Sequence, residues 1–258
     1  MFTVPFELIL TFVLVLIRVL LFFALMPVFG DPFTPVRVRA LLACAAAFVF
    51  APLVPHHATA LPATIPQFVA LMLPEAALGV AFGLVGRILF GAVQFAGQLM
   101  GEQIGFGLGS KIDPTQTTQI PVVAQMLFLA SLLLFFLTNA HHFFFGALAR
   151  SFELAPPGSL GLPGELAAFF VERTSAMFVT AVQLSLPIVA ATIIVDVALG
   201  MIAKGVPQLS VFIESFPIRI MVGLFLISVI SAFLVEMIVG LFGDLHEHLL
   251  ALLRMSAV

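Results

Sequence analysis

The 258-residue chain has no tryptophan, no tyrosine and one cysteine, and charged residues make up only 9% of it. Each shortage excludes something. A soluble domain carries about 25% charged residues, so this chain lacks the water-facing surface of a soluble globule. With 62% hydrophobic residues it reads as a membrane protein. Cys44 stands alone in the run LLACAAAFVF, so no disulfide can form within the chain, and it reads as a small buried residue. A net charge of −3 argues against nucleic acid, which needs a basic face. Spanning proteins place Trp and Tyr in belts at the headgroup level; this chain has 29 Phe and neither of those. That absence predicts that much of its apolar surface faces other subunits rather than lipid.

Six apolar stretches are present: Val4 to Phe29, Val36 to Leu53, Phe68 to Met100, Val122 to Ala149, Ala167 to Ala203 and Ile218 to Phe242. Most meet the span requirement of about 20 residues. The first reads as a retained segment, because Glu7 precedes it, Arg18 interrupts it and no positive region leads it. Turn-rich connectors, APLVPHHATALPATIP and LAPPGSLGLPGE, separate the second stretch from the third and the fourth from the fifth. Pro27, Pro74, Pro187 and Pro217 fall at or inside apolar segments and invite kinks. Gly79 with Gly83, and Gly97 with Gly101 and Gly105, form GxxxG pairs suited to close helix approach. No internal repeat supports the inverted-repeat layout of many transporters. Lys and Arg are too evenly divided among the loops to orient the chain.

The stretch GEQIGFGLGSKIDPTQTTQIP, Gly101 to Pro121, is a polar, flexible island in this apolar chain. Each of its glycines costs a helix about 1 kcal/mol relative to Ala. Thr115, Gln116, Thr117, Thr118 and Gln119 cannot face lipid without partners. Such a segment is expected to line or close a space inside protein. It is no phosphate loop: Lys111 follows Ser110 and precedes Ile112, against the GxxxxGK[ST] pattern.

Arg18, Glu75, Arg87, Asp196 and Glu236 lie in or beside apolar segments and must pair or reach water. Glu75 and Arg87 stand about 18 Å apart along an unbroken helix, so their partners come from other segments or other chains. No second carboxylate at helical spacing supports a proton relay. Pro187 and Asp196 are the best seeds for a transporter site, a rival reading. The histidines, at 56 and 57, 141 and 142, 246 and 248, are poorly spaced for chelation on a helix. No constellation suggests hydrolysis. No catalytic residue, metal or cofactor is expected, and the chain does not read as an enzyme.

Several motifs converge on one family. Arg18 followed by Pro27 and Phe29, TPVRVRALLA from Thr34, Glu75 with Gly79 and Gly83, and Ala96-Gly97 leading to Gly105-Phe106 are the first of them. Asp113-Pro114, His141, Ser151-Phe152 and PQLSVFIESFPIRIMVGL from Pro207 follow in order. In these the chain resembles the FliR family of flagellar biosynthesis and its injectisome counterparts, the SctT group. It departs at Ser210, Lys204 and Asn139-Ala140, where family members often carry Asn, Arg and glycines.

The resemblance implies an all-α integral membrane protein whose roughly six hydrophobic segments form kinked helical hairpins, a FliP-like and a FliQ-like unit joined in one chain. It implies one export-gate domain over residues 1–258, in the bacterial inner membrane at the flagellar basal body. The implied partners are FliP-type and FliQ-type subunits, an FlhB-type protein and unfolded export substrates in transit. It further implies a pore plug in which Gly105, Phe106, Gly107, Leu108, Gly109, Ser110, Lys111, Ile112, Asp113 and Pro114 take part, the loop running to about Pro121. Phe106, Leu108 and Ile112 would fill an apolar constriction, and the glycines would let the backbone move aside. Glu75, Gly79, Gly83, Arg87, Gly97, Gly101, Pro207 and Gln208 are the expected assembly and packing residues. Flagellar or injectisome service stays open, with length and the short tail leaning toward the flagellar branch.

Overall fold

The apolar stretches are mostly helical where the structure describes them, interrupted at Met26 and at Thr138–Asn139. A computed structural model describes residues 6–30, 34–54, 62–106, 121–158, 164–205 and 211–256. Among these residues there are eight α-helices and no strand: α1 (Phe6–Leu25), α2 (Pro27–Gly30), α3 (Val36–Phe50), α4 (Ile65–Ile104), α5 (Val122–Leu137), α6 (Ala140–Leu154), α7 (Leu166–Gly205) and α8 (Val211–Ser256).

Periodicity explains what each short helix buries. In α1, Leu10, Leu14, Arg18 and Phe22 recur every four residues and are all buried, so Arg18 sits inside the core-facing stripe. In α6, Phe144, Leu148, Ser151 and Phe152 form the corresponding stripe. Pro27 lacks the N–H that would extend α1; it opens the four-residue α2 instead.

The second apolar stretch falls short of a membrane span. Its helix α3 has 15 residues, about 22 Å of rise against a hydrocarbon core of about 30 Å. A 3₁₀ turn containing Pro52 ends it. α3 packs on α1, burying only Ala43 and Ala47. Cys44 lies one helical step round from Ala43 and is exposed, which corrects the expectation that it is buried. Among the described residues four helices are long and apolar enough to cross a membrane, or five spans if the broken pair α5 and α6 counts as one. Pro74, Pro187 and Pro217 do not break their helices: α4, α7 and α8 run through them for 40, 40 and 46 residues. α5 and α6 part at Asn139, whose φ of 57° is left-handed; after Gly, Asn tolerates that conformation best as a helix terminator.

Two compact units divide the chain. The first comprises Met1–Ile88, Asn139–Arg173 and Phe242–Val258; the second comprises Leu89–Thr138 and Thr174–Leu241. Rings of Phe22, Phe23, Phe29, Phe144 and Phe145 meet in the core of the first unit. In the second, Phe90 packs edge-on against Phe128 and Phe135.

Candidate functional site

The two described ends of the segment singled out in the sequence meet in the second unit, at a neck built by its glycines. α4 stops at Ile104 because Gly105 takes φ 105°, which a side chain would resist. The Phe106 N–H then reaches back to the Gly101 carbonyl at 2.9 Å, and the Gly105 N–H to Glu102 at 3.2 Å. Paired bonds of this kind satisfy the carbonyls left over at a helix end. The returning strand of the neck is Pro121, immediately before α5. A Cβ on Gly101 would lie 2.7 Å from the Pro121 Cβ, so the outgoing and incoming chains touch there. Phe106 stands 36% exposed at the rim.

Below the neck, two further glycines set the packing. A Cβ on Gly97 would lie 2.5 Å from the Ala124 Cα, so α4 and α5 approach backbone to backbone. Gly223 of α8 leaves room for the fully buried side chain of Ile104; a Cβ there would lie 2.8 Å from its Cδ1. The last turn of α4 is thereby gripped by α5 and α8.

The first unit holds a buried ion cluster. The Arg18 Nε donates to Glu75 Oε2 at 2.7 Å, both side chains being closed to solvent. Its Nη1 donates to the Ser151 carbonyl and hydroxyl, each at 3.0 Å, and its Nη2 to the Ala155 carbonyl at 2.9 Å. The Phe152 ring lies 4.5 Å from the guanidinium carbon. Glu75 Oε1 accepts the N–H of Gly158 at 3.1 Å, in a turn where Gly158 has φ 86°. A guanidinium carries five N–H donors in a rigid fork, and here they tie α1 to α4, α6 and the turn that follows. Gly79 and Gly83 make the approach possible. A Cβ on Gly79 would fall on the Arg18 carbonyl oxygen, and one on Gly83 would lie 2.7 Å from the Leu25 Cβ.

The other intramembrane charges divide in two. Asp196 of α7 pairs with Arg219 of α8 at 2.7 Å, partly exposed and outside hydrogen-bond alignment. Arg87 and Glu236 are exposed. Pairing across segments, required by the sequence reading, is thus made inside this chain for Glu75 and Asp196. Of the expected plug residues, Gly105 and Phe106 sit at the neck, while 107–114 lie outside the described residues, as do Pro207 and Gln208. Ser151, Ala155 and Gly158 were not anticipated as ion partners. Three of their four hydrogen bonds use backbone groups, which every residue type offers, so residue identity carried no signal for those.

Residues 9–245 match the family model described as bacterial export proteins, family 1. The chain is similar to the flagellar biosynthetic protein FliR of Bacillus subtilis (strain 168), 30% identical over 254 residues that cover 95% of this chain and 96% of the relative. It is 28% identical to the protein of that name from Escherichia coli (strain K12), over 90% of this chain and 88% of the relative. With the one from Aquifex aeolicus (strain VF5) it shares 27% identity, over 86% of this chain and 85% of the relative.

Proposed function

The chain belongs to the bacterial export proteins, family 1, and from that membership we propose that it works as a subunit of the flagellar type III export gate in the inner membrane. The carrying observation is the match over residues 9–245, nearly the whole chain, with relatives of similar length named as flagellar biosynthetic proteins.

The helices support a subunit rather than a solitary channel. Large apolar side chains are exposed along α7 from Val171 to Ile202, about 45 Å of helical rise against a hydrocarbon core of about 30 Å. Fitting that rise into lipid alone requires a tilt of about 50°, beyond the 0–40° range of spanning helices. Apolar surface that lipid cannot cover calls for protein. In our reading FliP-type and FliQ-type subunits cover it, an FlhB-type protein associates with the assembly, and the two units of this chain act as one export-gate domain.

The proposed mechanism is passive. Unfolded export substrates pass through a shared channel, energy comes from other components, and this subunit carries no catalytic group. Residues 105–121 close the channel at rest. The neck suits that task, since α5 and α8 grip the last turn of α4 and Gly101 rests on Pro121, leaving an anchored base for the closing segment. Glu75, Gly79, Gly83, Arg87, Gly97, Gly101, Pro207 and Gln208 act in packing and assembly.

Affinity purification of the tagged full chain from its native membrane tests the proposal. Recovery of FliP-type and FliQ-type subunits is expected, together with loss of flagellar protein export when the gene is deleted. Recovery of a lone chain, with export intact in the deletion strain, overturns it.

A further inference from the structure

Glu236 lies deep in the apolar part of α8 and is unmatched there. The helix is long and apolar enough to cross a membrane from Pro217 to Met255. Between Arg219 and Asp244, Glu236 is its only charged residue. The nearer of those two, Asp244, lies about 12 Å of helical rise away. A glutamate side chain is too short to reach headgroups over that distance; snorkelling belongs to the long stems of Lys and Arg. Among the described residues Glu236 makes no hydrogen bond or ion pair, and it is exposed.

The surroundings of that carboxylate are apolar. Ile218, Met221, Phe225, Val229 and Glu236 follow one another along α8 in steps of three, four, four and seven. At 3.6 residues per turn those steps keep them on one face. The four apolar members are between 41% and 73% exposed. The opposite side of α8 is the one that packs within the unit: a Cβ on Gly223 would meet Ile104, and Leu234 and Ile238 are buried. The outward face is a ridge about 27 Å long, apolar for most of its length and acidic at one end.

We propose that this face docks a membrane helix of a different subunit, one that lays apolar side chains along Ile218 to Val229 and sets a Lys or Arg against Glu236. Each other occupant leaves something unmatched. Lipid would cover the apolar residues and strand the carboxylate, which is costly in hydrocarbon. A water-filled lumen would hydrate the carboxylate and wet the apolar ridge. A second copy joined through the same face brings no cation, because that face has no Lys or Arg. An apolar seam alone says little about register, whereas a single polar contact within it fixes register and partner. Glu236 therefore sets which helix docks and at what height along α8. The inference rests on the reading of this chain as one subunit of a membrane assembly; it adds the docking face and the chemistry of the side chain that meets it.

Purification of the tagged full-length chain in mild detergent, with a photo-reactive amino acid at position 229, provides the test. The wild-type chain is expected to bring a partner subunit with it, and illumination to join position 229 to a helix of that partner carrying Lys or Arg about two turns away. E236Q lowers recovery of the partner about tenfold and E236K about a hundredfold. Combining E236K with Glu at the partner's basic position restores recovery. Helix content and unfolding midpoint of the separated chain stay unchanged in both variants, since Glu236 supports nothing within the described residues. With the partner present in the wild-type preparation, four results each overturn the proposal and leave the assembly reading standing: position 229 joined to lipid, position 229 joined to a second copy of this chain, undiminished partner recovery by E236K, or no recovery by the exchanged pair. A wild-type chain recovered alone overturns the assembly reading and this inference with it.

Discussion

Arg18 and Glu75 stand 57 residues apart in the chain and 2.7 Å apart in the fold, and neither side chain reaches solvent. A charge taken out of water is costly unless paired and hydrogen-bonded. Here the pair is completed by the Ser151 and Ala155 carbonyls on one side and the Gly158 N–H on the other. Three helices and a turn are therefore committed to one relative placement.

Removing one partner strands the other. Glu75→Ala is expected to lower the stability of the detergent-purified protein by about 3–5 kcal/mol, read as a fall in unfolding midpoint. The double substitution R18M/E75L should lose less than Glu75→Ala alone, since no charge stays buried. A Glu75→Ala variant within about 0.5 kcal/mol of wild type would show that the cluster does not hold the unit together.

Two glycines should respond in opposite ways to the same added methyl. At Gly79 the new Cβ meets the Arg18 backbone carbonyl, which has no side-chain freedom to give way; at Gly240 it meets nothing within 4 Å. Gly79→Ala is expected to cost about 1–3 kcal/mol through overpacking. Gly240→Ala should be neutral or stabilising by up to about 1 kcal/mol, since Ala is the better helix former. Yield and thermal unfolding of the two variants side by side decide the point, and equal losses would be inconsistent with α4 lying against α1 at Gly79.

Shortening residues 107–118 while keeping the neck should make the assembled complex leak small ions. Conductance in planar bilayers is the measurement. An unchanged conductance would remove the plug from the proposed function and leave a packing role.

The pair Asp196–Arg219 is partly exposed, so Asp196→Ala should cost no more than about 1 kcal/mol and leave flagellar export near its wild-type level. Motility in soft agar reads this out. Export abolished at normal protein abundance would instead give Asp196 a direct part in export beyond its pairing with Arg219.

The helical character of the described residues and the membrane class were legible in the sequence, because hydropathy is a local property; the break expected from Gly101 comes four residues later, since α4 continues to Ile104. Gly105 was recognisable as an unfavourable helix residue and does end α4. Helix count was less legible. The stretch from Val36 to Leu53 is apolar throughout, yet Pro52 and a length of 15 helical residues leave α3 too short to span. Asn139 was noted only as a departure from the family pattern, although its left-handed backbone separates α5 from α6. Arg18, Glu75 and Asp196 were identifiable as charges in need of partners, because burying any charge is unfavourable. Which partner each one takes was decided by tertiary structure alone. Contacts across 57 or 133 residues depend on which helix faces come together, and three of the five hydrogen bonds closing the ion cluster fall on backbone carbonyls and N–H groups that look the same at every position of the chain.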